Sequence, residues 1–412
     1  MDKNTKLFSD HSKNFNGSII IPVFKTSTFC FETAEQGENI FKFLQNKPYE
    51  NIDVNDKYPF IYSRFNHPNM ESTEKKISLF DNSDDSALFS SGMSAISTTC
   101  LTFLNPNDTI LYGSPIYGGT DAFFQKILTK FNIKSLSFPC GMNDITKLAE
   151  LIIQNNIKMI FIETPCNPNM ILTSISMFNH IRNELNKDIL IVVDNTMAGP
   201  IFLKPLQLGA DLALYSATKF LGGHSDIIAG CVSGSNHLIK KIKSFRSTLG
   251  PILDPESCWL IQRSLATLEL RMKKQYENSL FILEKLKYNK HITKLYYPGY
   301  NSFDQNHSMY TQKYIYENEY SGGSSIISFT LNCNKEIIFK ILNSLNVFKL
   351  AVSLGSVESL IQHPASMTHS CMSDEDKIKY NITDNLIRCS IGLEDPYDLS
   401  YDLCSTIDKF CI

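Results

Sequence analysis

Short apolar runs alternate with amphipathic stretches from about Ser86 onward, and this alternation restricts the fold more than any other feature of the sequence. Buried parallel strands are nearly continuous apolar runs, because helices cover both faces of their sheet. Such runs lie at residues 109–112, 159–162, 189–193 and 212–214. Apolar residues at helical spacing lie between them, at 120–131 and 174–185. The pattern predicts an α/β fold with a mostly parallel central sheet.

The length of 412 residues predicts two or three domains. The first 60 residues are irregular, with aromatic residues between polar stretches, as in an arm that wraps around something else. Gly250-Pro251 and Asp254-Pro255 break the chain before a long helical pattern, and candidate strands follow at 325–331 and 386–391. The predicted parts are an N-terminal arm (1–62), an α/β domain (63–255) and a smaller C-terminal α+β domain (256–412).

The composition argues against several classes of function. A net charge of -3 does not predict a nucleic-acid binder, which would carry a basic face. The 11 cysteines are irregularly spaced without a Cys-x-x-Cys pair, so neither a disulfide framework nor a bound metal is expected. The first ten residues are polar, unlike a signal peptide, and no apolar run reaches the roughly 18 residues that span a bilayer. We therefore expect a cytoplasmic protein without membrane or nucleic-acid partners.

Small and polar residues follow the predicted strands, at the edge where parallel sheets bind ligands. Asp194 ends one strand, although such a carboxylate taken alone is more typical of a turn cap. Lys219 follows the next strand in an apolar run with Ser216 and Thr218, where desolvation would make its amine a nucleophile toward aldehydes. Residues 90–96 open a helix whose free amides can bind phosphate. Together these parts predict a pyridoxal 5'-phosphate site.

Short motifs then identify a family. Their order, and the spacing from Asp194 to Lys219, resemble those of the Cys/Met-metabolism family of pyridoxal-phosphate enzymes, from about Pro22 to about Leu403. The motifs are Tyr62-Ser63-Arg64, Ser91-Gly92-Met93, Tyr117-Gly118-Gly119-Thr120, Glu163-Thr164-Pro165, Asp194-Asn195-Thr196, Ser216-Ala217-Thr218-Lys219 and Ser353-Leu354-Gly355. The resemblance implies the fold-type I (aspartate aminotransferase-like) fold and an enzyme that breaks or makes C–S bonds in amino acids.

The resemblance also implies a role for individual residues. Lys219 would bind the cofactor as a Schiff base and, once freed, remove the α-proton of the substrate. Asp194 would pair with the pyridine nitrogen, and Tyr117 would stack on the ring. Tyr117, or an acid near it, would protonate the departing sulfur. The other implied cofactor contacts are the amides of Gly92 and Met93, the hydroxyls of Ser216 and Thr218, and, toward a neighbouring subunit's phosphate, Tyr62 and Arg64. The implied substrate contacts are Arg388 on the α-carboxylate, with Asn167 and Ser353 nearby.

Contacts to a neighbour's cofactor would make a homodimer the smallest active unit, and the family implies a homotetramer.

Other interpretations of these residues and of the whole chain are open. Taken alone, Tyr117 would be interpreted as a core aromatic residue, Arg64 as a surface ion pair and Arg388 as a strand-end charge. A transaminase is disfavoured by the Tyr-Gly-Gly-Thr and Ser-Leu-Gly motifs. A non-catalytic relative is disfavoured because Lys219, Asp194 and Arg388 are all present.

Residues outside the shared motifs divide between two reactions. Residues 163–170 and 362–370 resemble methionine γ-lyase, and Val352 lies where cystathionine-directed members usually have a glutamate. Gly119 lies where methionine γ-lyases usually have a cysteine, and residues 223–226 are more typical of cystathionine enzymes. We predict γ-elimination of L-methionine to methanethiol, 2-oxobutyrate and ammonia. The alternatives are the cystathionine γ-synthase reaction, in which cysteine replaces the acyl group of an O-acylhomoserine, and the cystathionine γ-lyase reaction.

Overall fold

Two separate β-sheets organise the fold in a computed structural model, which describes residues 3–8, 17–44, 60–301, 309–370 and 372–411. The strands are β1 (Asp85–Phe89), β2 (Thr109–Ser114), β3 (Lys134–Pro139), β4 (Ile157–Glu163), β5 (Leu190–Asp194), β6 (Leu212–Tyr215), β7 (Gly230–Gly234), β8 (Ile292–Tyr297), β9 (Tyr300–Asn301), β10 (Ile326–Leu331), β11 (Lys349–Leu350), β12 (Leu360–Gln362) and β13 (Leu386–Ser390). The α-helices are α1 (Lys3–Phe8), α2 (Ala34–Leu44), α3 (Pro68–Asp81), α4 (Gly92–Phe103), α5 (Gly118–Ala122), α6 (Ile145–Gln154), α7 (Ile175–Glu184), α8 (Gly199–Phe202), α9 (Asn236–Leu249), α10 (Pro255–Leu265), α11 (Leu268–Lys287), α12 (Met309–Glu319), α13 (Lys335–Ser344), α14 (Asp374–Lys379) and α15 (Pro396–Phe410).

The larger sheet has the strand order β1-β7-β6-β5-β4-β2-β3. The pairings among β2 to β6 are parallel, and β7 runs antiparallel to both of its neighbours. In β4, Met159 and Phe161 pack on the face covered by α4 and α9, while Ile160 and Ile162 pack on the face covered by α6 and α7. Burial on both faces explains the continuous apolar runs, and the predicted mostly parallel sheet is confirmed.

The smaller sheet has the order β11-β12-β13-β10-β8-β9 and is antiparallel except between β11 and β12. It includes both strands predicted for the C-terminal part, as β10 and β13. Helices α11, α13 and α15 pack against it. An α/β fold with a smaller C-terminal α+β part is thus confirmed, while the exact boundaries at 62/63 and 255/256 stay predictions.

Three local predictions differ from the structure. The helix predicted at 120–131 is α5 followed by a π-helical turn (Phe123–Ile127) and a 3-10 turn (Leu128–Phe131). The Tyr112 hydroxyl donates to Asp121 Oδ1 at 2.9 Å and accepts from Gln125 Nε2 at 2.6 Å, which ties α5 and the π-helical turn to β2. The long pattern after residue 255 is two helices, α10 and α11, and the arm predicted to be irregular contains α1 and α2. In the part of the chain that the structure describes, no helix is long and apolar enough to cross a membrane.

Candidate active site

The predicted site residues lie at the carboxyl ends of strands in the larger sheet. Gly92 follows β1, Tyr117 follows β2, Asn167 follows β4, Asp194 ends β5 and Lys219 follows β6. These strands all point the same way, so their carboxyl ends share one edge of the sheet. Ligands of open parallel sheets bind at this edge. Residues spread over more than 120 positions of sequence are therefore brought to one place.

Lys219 lies in the loop after β6, where its amine contacts Ser353. Its Nζ donates a hydrogen bond to Ser353 Oγ at 2.7 Å. Burial, and to a smaller extent the positive charge of Arg388, lower the pKa of Lys219 to about 8. Ser353 has a φ of +107°, a conformation that costs energy for a residue with a side chain and is typical of functional sites. A larger fraction of the Lys219 amine is therefore unprotonated near neutral pH than in an ordinary lysine, as formation of a Schiff base requires.

Asp194 is a buried carboxyl group at the end of β5. Burial raises its pKa to about 6, although hydrogen bonding from Thr196 opposes this. The Thr196 N–H donates to Asp194 Oδ1 at 3.0 Å, and Thr196 Oγ1 accepts from the Ser216 N–H at 2.8 Å. Among the described residues Asp194 has no salt bridge. A cationic ring nitrogen would supply the partner that a buried carboxylate requires.

The start of α4 and the loop after β6 approach each other closely. A Cβ added to Gly92 would lie 2.9 Å from Cβ and 3.1 Å from Oγ of Ser216. Ser91 caps α4 by accepting from the Ser94 N–H at 3.0 Å, and the first amides of a helix have no partner within it. Such amides bind phosphate, and the absence of a side chain at Gly92 lets the Ser216 loop lie against them. The Thr218 hydroxyl instead bonds to the backbone of Ala229, and its predicted phosphate contact stays a prediction.

The Tyr117 ring borders the same space. A Cβ at Gly119 would lie 2.7 Å from Cε1 of Tyr117 and 3.1 Å from Sδ of Met93, which places the ring and the sulfur side by side. The Tyr117 side chain is 44 % exposed. An aromatic ring that is this open to solvent has a face available for stacking.

Arg388 joins the predicted substrate residues to Lys219. It is 2 % exposed in β13, and burial lowers its pKa to about 10. Its Nη1 donates to Asn167 Oδ1 at 2.8 Å, and its Nη2 donates to the Ser353 carbonyl at 2.7 Å. Ser353 is also the residue that holds Lys219. The three residues predicted to bind substrate therefore form one cluster.

In the part of the chain that the structure describes, Tyr62 and Arg64 make no hydrogen bond or ring contact with this cluster. The Arg64 guanidinium lies 5.7 Å from the ring centroid of Tyr62 and 4.7 Å from that of Phe65. It also donates to the Ser247 carbonyl near the end of α9. Their predicted role at a neighbouring subunit's cofactor stays a prediction.

Glu163, a buried residue next to this cluster, was not among the predicted site residues. Glu163 ends β4 in register with Asp194, is 3 % exposed, and accepts hydrogen bonds from the amides of Tyr117 and Asn167. The available signal was its position directly after an apolar run, where Asp194 also lies. The described residues contain no group of three or more His, Cys, Asp or Glu side chains suited to a metal.

These features fit pyridoxal phosphate. The free amides at the start of α4 suit a phosphate, burial lowers the pKa of Lys219 to about 8, and the Asp194 carboxylate has no cationic partner among the described residues. Arg388 offers a buried fork for a carboxylate. The arrangement suits chemistry on an amino acid attached to an electron-accepting aldehyde cofactor.

Comparison with known proteins supports the same conclusion. Residues 5–408 match the family model described as Cys/Met metabolism PLP-dependent enzyme. L-methionine gamma-lyase of Fusobacterium nucleatum is 34% identical over 409 residues, which cover 98% of this chain and 97% of the relative. Cystathionine gamma-lyase of Rattus norvegicus is 35% identical over 345 residues, 84% of each chain.

Solved structures agree in fold. Cystathionine gamma-lyase from Lactobacillus plantarum, complexed with L-serine, has a TM-score of 0.85 at 30% identity over 100% of both chains. Cystathionine gamma synthase from Xanthomonas oryzae pv. oryzae, in complex with cystathionine, has a TM-score of 0.86 at 27% identity, over 99% of this chain and 96% of the other. The chain therefore belongs to the Cys/Met-metabolism family of PLP-dependent enzymes, with the fold-type I architecture and pyridoxal 5'-phosphate as its cofactor.

Proposed function

We propose that the enzyme cleaves the C–S bond of L-methionine by γ-elimination, releasing methanethiol, 2-oxobutyrate and ammonia. Similarity to methionine γ-lyases over nearly the full chain carries this choice of substrate. Val352, which directly precedes Ser353 and is 54% exposed, supports it. An apolar side chain there favours a methyl thioether over the distal ammonium group of cystathionine.

The residues divide the work of this reaction. Bound pyridoxal phosphate supplies the electron sink. Arg388 binds the α-carboxylate of the substrate as a fork and orients Cα, while Asp194 holds the pyridine nitrogen protonated. Lys219, whose lowered pKa leaves much of the amine unprotonated near neutral pH, removes the proton from Cα. Loss of a second proton, from Cβ, then makes the sulfur a leaving group at Cγ, and water releases the remaining carbon skeleton as 2-oxobutyrate and ammonia. The Tyr117 hydroxyl, at the open side of the site, donates a proton to the departing sulfur.

Supplying candidate substrates separately tests the proposal. Methionine alone should give methanethiol and 2-oxobutyrate together. Cystathionine formed from an O-acylhomoserine and cysteine, with no keto acid from methionine, would contradict it. That result would support cystathionine γ-synthase activity, the second candidate, which Gly119 favours because cystathionine enzymes share the Tyr-Gly-Gly-Thr form of this motif.

We also propose a cytoplasmic homodimer as the minimal active unit, paired into a tetramer. Membership of a family of metabolic enzymes supports the location. Tyr62 and Arg64 support the dimer, because they lie where the arm meets the α/β domain and contact each other, apart from the cluster of their own chain.

Complementation would test the shared site. Arg64→Ala and Lys219→Ala subunits should each be nearly inactive alone, since each lacks one half of every site. Co-expressed in equal amounts, they should recover about a quarter of the parent activity, because half of the dimers are hybrids with one intact site. Absence of recovery in hybrids isolated by two different affinity tags would contradict a shared site.

Lys219 should attach the cofactor at a lower pH than an ordinary lysine. Only the unprotonated amine attacks an aldehyde, and burial lowers the pKa of Lys219 to about 8. The rate of cofactor attachment to the apoprotein should therefore rise with pH and level off above about pH 8. Absorption at a series of pH values measures this rate. A rate that keeps rising to the pKa of an exposed lysine would contradict the expectation.

Gly119→Ala should disturb the Tyr117 ring. The new Cβ would lie 2.7 Å from that ring, and the half-exposed ring is the part free to move. We expect kcat for methanethiol release to fall by up to about tenfold, because small displacements of reacting groups are costly. The loss should stay below that of a missing group, since the ring can shift and methionine γ-lyases usually have a cysteine at this position. Gly118→Ala is the control, since its Cβ would meet only the Thr368 carbonyl, at 3.2 Å. Equal losses in both variants would argue against displacement of the ring as the cause.

A further inference from the structure

Glu163 lies between the loops that carry the predicted catalytic and substrate-binding groups. We propose that Glu163 is a positioning residue for the elimination, whose single carboxyl group holds the Tyr117 loop and the Asn167 loop in fixed relation to each other. The inference deepens the proposed function and depends on it for the choice of substrate. Glu163 would act only through its neighbours, so this role is separate from the electron-withdrawing chemistry that the cofactor supplies.

Two hydrogen bonds carry the inference. Oε2 of Glu163 accepts from the Tyr117 N–H at 3.0 Å, and Oε1 accepts from the Asn167 N–H at 2.8 Å. The first links residues 46 positions apart in sequence. The side chain is almost fully buried, so water does not compete for either amide. One rigid group with two acceptor atoms therefore fixes where both loops leave the sheet.

The connection continues to the carboxylate-binding fork. Asn167, whose amide Glu163 holds, accepts from Arg388 Nη1 through its side-chain Oδ1 at 2.8 Å. Arg388 in turn donates to the carbonyl of Ser353, and the side-chain Oγ of the same serine accepts from Lys219. A shift of Glu163 would thus move the stacking ring and the carboxylate fork relative to the α-proton acceptor.

The charges around Glu163 suit this task. Its charged and titratable neighbours are Asp194 on the adjacent strand β5, Arg388 on β13 and Cys140 directly after β3. Burial and the charge of Asp194 raise the pKa of Glu163 to about 8, against the opposing effect of the two amides and Arg388. A proton carried by Glu163 leaves Asp194 ionised for the pyridine nitrogen. Both oxygens of a protonated carboxyl group still have lone pairs that accept from the amides.

Glu163→Gln in the holoenzyme tests the proposal. Glutamine has the same shape but one acceptor oxygen, and its NH₂ group cannot accept from the second amide. We expect cofactor content and the KM for methionine to change little, while kcat for methanethiol release falls about tenfold or more through misaligned reacting groups. The matched control is Asp402→Asn. Asp402 is a buried carboxylate of α15 that also accepts backbone amides, from Asn346 and Val347 at 3.0 and 2.9 Å, and its variant should lose stability without the selective loss of kcat.

Glu163→Asp tests whether the length of the side chain matters when its carboxylate is kept. It keeps the carboxylate but is one methylene shorter, so it should lose kcat as well. Parent-like kcat in either Glu163 variant would overturn the proposal, as would an equal loss of kcat in the Asp402 control. Failure of both Glu163 variants to give folded holoenzyme would also overturn it, since the side chain would then serve the fold instead of orientation.

The failure of the proposed function would be recognised separately. It would appear in the parent enzyme, as an absence of methanethiol from methionine. The same variants would then be compared with cystathionine as substrate and keto acid as the product measured. A selective loss of kcat in the Glu163 variants would support positioning there too, whereas parent-like turnover would overturn it.

Discussion

Lys219→Ala is expected to lower kcat/KM for methanethiol release by roughly 10⁴-fold or more, the upper part of the range for loss of a proton-transfer group. In the proposed mechanism, the variant loses both the amine that attaches the cofactor and the base that removes the α-proton. Among the residues that the structure describes, no other lysine forms a hydrogen bond with Ser353, so none is placed to substitute for Lys219. Initial rates of 2-oxobutyrate and methanethiol formation measure the effect.

Lys219→Arg distinguishes the amine from its charge. Arginine keeps the positive charge next to Ser353 but stays protonated and cannot serve as an amine nucleophile or a base. We expect this variant to be as inactive as Lys219→Ala. Activity within reach of the parent enzyme would show that the site needs a cation at this position and not an amine, which would contradict the mechanism.

Arg388→Ala should give the second large effect. Removing one partner of a buried, hydrogen-bonded charge typically costs about 2–5 kcal/mol, which corresponds to roughly 30- to 4,000-fold in kcat/KM. The variant also leaves Asn167 Oδ1 and the Ser353 carbonyl without their donor. Arg388→Lys should recover only part of the loss, because one ammonium group cannot form the planar fork. Steady-state kinetics with methionine measures both variants.

Methioninamide supplies the control for this prediction. It carries no carboxylate, so the parent enzyme should strongly prefer methionine, and Arg388→Ala should lose most of that preference. If the variant discriminated between the two compounds as the parent does, Arg388 would not be the carboxylate-binding group. Its contacts with Asn167 and Ser353 would then be structural.

The sequence predicts the larger sheet well because its strands are buried on both faces. The predicted runs correspond to β2, β4, β5 and β6. Once those strands are parallel, the residues after them must share one edge, which is why the sequence could place Asp194 and Lys219 together. Strands β1, β3 and β7 were missed. Strand β7 begins and ends with a glycine, so its strand character comes from pairing with β1 and β6.

Other parts of the site depend on contacts that no local pattern encodes. Glu163 gains its position from two backbone amides in separate loops. Ser353 has a positive φ that a serine does not signal. The break between α10 and α11 falls within continuous apolar spacing, where Arg271 bonds back to Ser264 and Phe220 and fixes the junction. Tertiary contacts therefore override the local pattern at these places.

Reductive trapping of the bound cofactor tests the central claim most directly. The holoenzyme is treated with borohydride, digested and mapped by mass spectrometry. We predict one modified peptide, with the mass of reduced pyridoxal phosphate on Lys219. Modification of a different lysine, or unmodified Lys219 in enzyme that still turns over substrate, would contradict the account.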